Sequence, residues 1–221
     1  MPIDILIDYE TLGGKSHNRG HSSVLELGAV AFEFNPESGA IPDYQQMVKS
    51  AFRVKFDIRS QKGIRAIDAD TKNWWLQQSE EAKKVLYPSP DDVSVEAGHR
   101  MFADWVKAQG LTRGSQVWCR GNDFDFPILY NCLEQAGIPE KTMPPFWDHR
   151  EVRTRIEAML GRGVTECPVP LGKMPGFVHH SGIHDCAKDI MMLVYSYRYA
   201  FGMEEIPTEE NAEPCTFKKK R

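Results

Sequence analysis

Asp8 and Glu10, in the run Ile7-Asp8-Tyr9-Glu10-Thr11, close a mainly apolar stretch at the start of the chain. On an extended backbone, residues two apart share a face, so both carboxylates project together from the end of a buried strand. Like charges side by side are costly unless a cation sits between them. Another acid, Asp125, stands between Phe124 and Phe126 where a strand feeds a helix. A third segment, His184-Asp185-Cys186-Ala187-Lys188-Asp189, sets His184 just before a helix and Asp189 in that helix's second turn. Asp8, Glu10, Asp125 and Asp189 supply hard oxygen ligands of the kind that suit Mg²⁺ or Mn²⁺. Four carboxylates can hold two such ions about 4 Å apart. One ion would activate a water and the other would stabilise a leaving 3′ oxygen. His184, with an ordinary pKa near neutrality, would take the water's proton. The chemistry such a set would perform is phosphodiester hydrolysis, with a nucleoside 5′-monophosphate as the product.

Each residue also has a plainer reading. An acidic pair at a strand end can simply face solvent. Asp123 can cap the following helix, and Asp125 can favour that helix's dipole. His184 can be a capping or surface residue. His179, His180 and His184 can be taken as a zinc cluster. Zinc usually takes two histidines from one helix face and a third ligand, and His179 and His180 lie in a Gly- and Pro-rich stretch. Mg²⁺ or Mn²⁺ is therefore the expected metal.

The elements that must position these groups follow from periodicity. Strands are predicted over 3–8 and 24–34, with a loop over 13–23 between them and a third strand over 46–56. Three strands with short connections suggest an antiparallel meander. Helices are predicted over 70–78 and 94–109, with Ser79 capping a further turn between them and Gly110 at the stop. A short strand over 116–119 then leads into a helix over 123–136, and another helix spans 151–160. A long loop over 163–183 precedes the last helix, 185–201, and at that length is functional or mobile. The expected fold class is α/β, a mixed sheet with helices on its faces. One domain is expected over 1–202, followed by a poorly ordered tail over 203–221 that ends in Lys218-Lys219-Lys220-Arg221.

With 221 residues, 41% hydrophobic and 26% charged, the chain reads as an ordinary globular protein with one well-filled core. The net charge of −4 argues against a protein that coats duplex non-specifically. A few nucleotides, or a local basic patch, remain compatible. Five scattered cysteines with no CxxC pair point to reduced thiols and the cytoplasm. No basic leader and no apolar run of membrane length is present. Lys49, Arg53, Lys55, Arg59, Lys62 and Arg65 form a basic stripe interleaved with Phe52 and Phe56. It is either a stacking and phosphate-binding surface or a core strand with a solvated face. Trp74 and Trp75 diverge by about 100° on a helix, so one can pack while the other lines a groove.

The three segments resemble the DnaQ-like 3′–5′ exonucleases, in the subgroup marked by Asp-Glu-Asp-Asp and a catalytic His. Asp8, Glu10 and Thr11 match the first motif, Asn122, Phe124, Asp125 and Leu129 the second, and His184 with Asp189 the third. Phe56-Asp57-Ile58-Arg59, Trp74-Trp75 and Arg153-Thr154-Arg155 further resemble the exonuclease A (DexA) type of large tailed bacteriophages. The resemblance implies an RNase H-like fold and two divalent ions. It also implies a single-stranded DNA substrate attacked from its 3′ end in the host bacterial cytoplasm. Thr11 and Leu12 map to the positions that wedge the terminal base, with Trp74 and Phe124 expected beside it. Asp123 departs from the Asn-Ala usual before Phe-Asp. A related group acts on RNA, so an exoribonuclease or oligoribonuclease is the alternative. A catalytically silent binding module on the same fold would lack a ligand, and none is missing. Unstacking one terminal nucleotide costs least when it is unpaired, which favours single strands.

Overall fold

The computed structural model describes residues 1–13, 19–38 and 40–217; the tip of the predicted 13–23 loop and the basic C-terminal end lie outside that set. Its sheet has five strands in the order β3-β2-β1-β4-β5. β1 (Ile3–Thr11) lies at the centre, antiparallel to β2 (Val24–Glu33), which is antiparallel to β3 (Phe52–Lys55). On the other side β1 runs parallel to β4 (Val117–Cys119), and β4 runs parallel to β5 (His149–Glu151). The meander and the parallel half are both as expected.

Alternation along β1 assigns each side chain to a face. Ile5, Ile7 and Tyr9 enter a core shared with α4 (Val95–Ala108) and α5 (Asp125–Gln135). Leu6 enters the opposite core with α1 (Tyr44–Ser50), α6 (Val152–Leu160) and α7 (Gly182–Ala200). Asp8 and Glu10 share the face of Leu6, so they look toward α7. Asp4, on that face too, is buried and accepts hydrogen bonds from the Gln116 amide and Trp118 Nε1, both at 2.9 Å, which ties β1 to β4.

Three expectations change. The strand predicted over 46–56 is α1 followed by the four-residue β3. Asp43 caps the helix by accepting from the Gln46 amide at 2.9 Å, and Tyr44 and Met47, three apart, are its buried residues. The last helix starts at Gly182, three residues before the predicted start, so His184 lies inside its first turn. The tail expected to be poorly ordered from 203 folds back. Ala212 bridges Pro170, Glu213 N donates to Val169 O at 2.8 Å, and Thr216 is fully buried and accepts from the Val169 amide at 3.1 Å.

α2 (Ala69–Leu76) separates the two tryptophans as their spacing requires. Trp75 is 1% exposed and donates from Nε1 to Thr11 O at 2.8 Å, while Trp74 is 42% exposed. Ser79 caps α3 (Glu80–Lys83) through the Ala82 amide. All five cysteines are free. Among the described residues, no helix is long and apolar enough to cross a membrane.

Candidate active site

Asp8 and Glu10 on β1, Asp125 at the first position of α5, and Asp185 in the first turn of α7 line one cavity of about 980 Å³. Trp74, Phe124, Arg19, Arg153 and Lys188 also line it. Parallel strands deliver this convergence, because β1 and β4 end at the same edge and the chain leaves β4 directly into α5. α7 is brought in by two glycines. A Cβ at Gly28, which pairs with Asp8 across β1 and β2, would lie 2.3 Å from the Gly182 carbonyl carbon. A Cβ at Gly182 would sit 3.2 Å from Asp8 O. Only hydrogen at both positions lets the helix start rest on the strand backbone.

The cluster carries more negative charge than the protein neutralises. Burial, then Glu10 and the other nearby acids, hold the Asp8 carboxyl well above the usual carboxylate range. Burial, then Asp185 and Glu26, do the same for Glu10. Asp125 is 2% exposed and pushed up to about 7 by burial, against the Tyr9 amide that donates to its Oδ1 at 3.0 Å. Such groups ionise together at neutral pH only if positive charge joins them. The donor set therefore fits one or more hard divalent cations.

His180 is the imidazole that faces this cavity. Glu10, His180 and Asp185 each place a ligand atom within 4.8 Å of the others. The His180 amide donates to Asp185 Oδ2 at 3.0 Å, and its ring meets Trp74 edge-on at 4.7 Å. Its backbone sits at φ 58°, the left-handed region that non-glycine residues seldom occupy, so the surrounding contacts hold it there. Burial lowers its pKa, partly countered by Asp185, which keeps the ring neutral and able to accept a proton.

His184 and Asp189, expected as base and metal ligand, stand on the first two turns of α7, with Asp189 on the cavity wall. His184 turns away from the cavity and shares its Nδ1 with Tyr44 OH at 2.6 Å. It lines an adjoining cleft with Glu26, Arg53 and His180. Asp189 lines the cavity with the other acids and helps raise the pKa of Asp8 and Asp125; Arg120 pairs with it at 2.7 Å and with Glu166 at 2.6 Å, yet burial still holds its own carboxyl above the usual range. Two His-x₄-Asp spacings overlap in the sequence, His180 to Asp185 and His184 to Asp189. Spacing alone cannot separate them. The two pairs are offset by four residues, about one helical turn, so Asp185 and Asp189 lie on one face of α7 and both line the cavity. Because Asp189 answers a buried cation, Asp189→Ala is expected to cost stability, about 3 kcal/mol. Differential scanning calorimetry reads that loss, and an unchanged Tm would show that Arg120 does not depend on Asp189.

Of the expected substrate contacts, Thr11, Trp74 and Phe124 line the cavity, with Thr11 itself 5% exposed. Leu12 does not. It is 5% exposed and packs with Leu25, Trp75, Ala82 and Val85, because the bulge after Glu10 turns the chain inward. Asp123 is exposed at the cavity mouth and does not cap α5, whose N-cap is Phe124. The basic stripe binds within the protein: Arg53 to Glu26, Lys55 to Asp92, Arg59 to Asp57, and the buried Arg65 to the Gly20 and Ser22 carbonyls. Phe56 of that stripe is in the core.

The family model described as the 3′-5′ exoribonuclease Rv2179c-like domain matches residues 3–195. An exodeoxyribonuclease of Enterobacteria phage T4 is 41% identical over 232 aligned residues, covering 99% of this chain and 100% of that protein. Among solved structures, cell-death related nuclease 4 (CRN-4) superposes with a TM-score of 0.57 at 15% identity, over 91% of this chain and 64% of that one. An E. coli exonuclease I–single-stranded DNA complex gives 0.54 at 13% identity, over 91% and 43%. The chain thus spans less than two thirds of either solved structure, and at these identities the likeness is one of fold, which is RNase H-like. With a family model covering most of its length and a relative that matches end to end, this chain belongs to the Rv2179c-like 3′–5′ exoribonuclease domain family and is a 3′–5′ exonuclease.

Proposed function

We propose that this exonuclease hydrolyses single-stranded DNA from its 3′ end to nucleoside 5′-monophosphates, using two divalent cations, Mg²⁺ or Mn²⁺. The observation that carries the reading is the meeting of Glu10, His180 and Asp185 within 4.8 Å in a cavity that also holds Asp8 and Asp125. Asp8, Glu10, Asp125 and Asp189 are the residues that would hold the metal, with Asp185 beside them on the cavity wall. When bound, the cations acidify the attacking water and offset the charge that develops on the leaving 3′ oxygen. The chain's own groups do the rest. His184, which stands in the third motif five residues before Asp189, takes the proton of the water that attacks the last phosphodiester phosphorus, with His180 on the cavity wall. The bond to the 3′ oxygen breaks, releasing a 5′-monophosphate and a strand one nucleotide shorter with a free 3′ hydroxyl. Trp74 and Phe124 offer stacking faces for the unpaired terminal bases. Arg19 and Arg153, on the cavity wall, stand where phosphates approach.

The phage relative is an exodeoxyribonuclease, which favours DNA. The matching family is one of exoribonucleases, which favours RNA, and this is the second reading. E. coli exonuclease I was solved in complex with single-stranded DNA, which supports a single strand in either case. Five free cysteines and the phage relative support action in the cytoplasm of a bacterial host.

Matched 5′-labelled DNA and RNA strands decide the substrate. Each is incubated with wild type and with Asp189→Asn, in Mg²⁺ or in EDTA. The expected result is a ladder shortening by single nucleotides from the 3′ end, faster on DNA, and absent in EDTA or with the variant. Faster shortening of RNA would move the second reading to first place. A ladder that persists in EDTA would end the metal assignment.

A further inference from the structure

Arg120 is the first residue after β4, and its charged side chain is only 13% exposed. Its guanidinium has acceptors on two sides. Nη1 donates to Asp189 Oδ1 at 2.7 Å. Nη2 donates to Thr165 O at 2.9 Å and pairs with Glu166 at 2.6 Å. Asp189 belongs to α7, and Thr165 and Glu166 to the long stretch that leads into that helix. Among the described residues, no hydrogen bond engages Asp189 Oδ2, so the second oxygen is left for the cavity.

The turn that carries Arg120 also carries Asp125. The Gly121 carbonyl accepts from the amides of Phe124 and Asp125, at 2.9 and 3.1 Å, which makes Arg120 to Asp125 one tight unit. A single guanidinium thus spans from the turn that delivers Asp125 to the helix that delivers Asp189, and both acids line the cavity. Two carboxylates that face one site repel each other until a cation joins them. A planar fork of fixed donors can hold such a carboxylate in one orientation, whereas an ammonium on a flexible stem cannot.

We infer that Arg120 is a positioning residue for the metal centre: by holding Oδ1 it sets the orientation in which Asp189 meets the cations and the spacing between Asp189 and Asp125. The inference rests on Asp189 being a metal ligand. It requires the two-sided fork of arginine and not its positive charge alone.

Mn²⁺ binding, followed by loss of the free-ion signal in electron paramagnetic resonance, tests this without turnover. Arg120→Lys keeps the charge but cannot face both sides. It is expected to weaken Mn²⁺ binding on the order of tenfold, the low end of what partners of a metal-binding carboxylate are worth. The Mn²⁺ concentration for half-maximal activity should rise by the same factor. At saturating Mn²⁺, kcat should return to within about threefold of wild type, with KM for the strand little changed. Glu166→Ala, at a partly exposed position, leaves Arg120 on Asp189 but removes its far anchor, and should weaken Mn²⁺ binding about threefold. It carries the test if Arg120→Lys does not fold. A role in stability alone would lower Tm and leave the Mn²⁺ affinity of the folded protein unchanged, and that result in either variant would overturn the inference. Asp189→Asn is the reference and should weaken Mn²⁺ binding more than either. If it binds Mn²⁺ as wild type does, Asp189 is not a ligand, and the inference falls with that reading.

Discussion

His184→Ala is expected to lower kcat on the order of 10³-fold while the protein stays folded, the range seen when a positioned proton acceptor is removed. His180→Ala should cost less in kcat, because that ring lines the cavity wall beside Trp74 and is not the proton acceptor. The two histidines are four residues apart, each stands five residues before an aspartate, and burial lowers the pKa of both. They differ in where they point. His180 lies with Glu10 and Asp185 at the cavity, and His184 faces α1. Steady-state kinetics on a labelled single strand separates them. If His180→Ala carries the large loss and His184→Ala keeps full rate, the assignment of His184 as general base is wrong.

The second large effect concerns the carboxylates. Asp8→Asn is expected to lower turnover on the order of 10³-fold or more, since metal stabilisation of the developing charge is worth several kcal/mol. The same variant should make the metal-free protein more stable at neutral pH. The sign follows from the direction of the pKa changes. Asp8, Glu10 and Asp125 all lie above their ordinary values, Asp125 at about 7, with burial as the first cause. A carboxyl whose pKa is higher folded than unfolded gains a proton's affinity on folding. Its favourable contribution is full below the unfolded value, about 4, and is lost as pH rises through the folded value. In EDTA the wild-type Tm should therefore fall between pH 5 and pH 8, by on the order of 5 °C. Asp8→Asn should fall less, a comparison that cancels groups common to both proteins. Mg²⁺ or Mn²⁺ should raise the wild-type Tm at pH 8 and do little for the variant. Equal slopes for the two proteins in EDTA would show that Asp8 is not under strain from its neighbours.

Both effects trace to Asp8, Glu10 and Asp125, and these were legible in the sequence for a local reason. Two acids two apart on a strand share a face whatever the rest of the chain does, and an acid just past a strand must lie at the sheet edge. The central strands and the helix caps at Ser79 and Ser94 are local in the same sense, set by alternation and by a side chain reaching an amide three residues on. The stretch from 44 to 50 misled because apolar residues three apart and residues two apart are hard to tell over so short a span, and the Asp43 cap settled it as helix.

What only the tertiary structure decided was how the two equally spaced His–Asp pairs lie, with Asp185, Asp189 and His180 on the cavity wall and His184 toward α1. That depends on the start of α7, and the start depends on contacts remote in sequence: Gly28 against Gly182, and Glu26 on the Gly182 amide. The fate of Asp189 likewise depended on Arg120, which is 69 residues away in the chain. Leu12 was drawn into the core by a bulge, and the basic stripe was taken up by acids and carbonyls from other elements. Residue type and spacing along one element determined which chemistry this protein performs. The packing of a helix terminus on a strand determined how the residues of α7 are presented to the cavity, because the start of a helix is set by contacts remote in sequence and leaves no mark in the spacing.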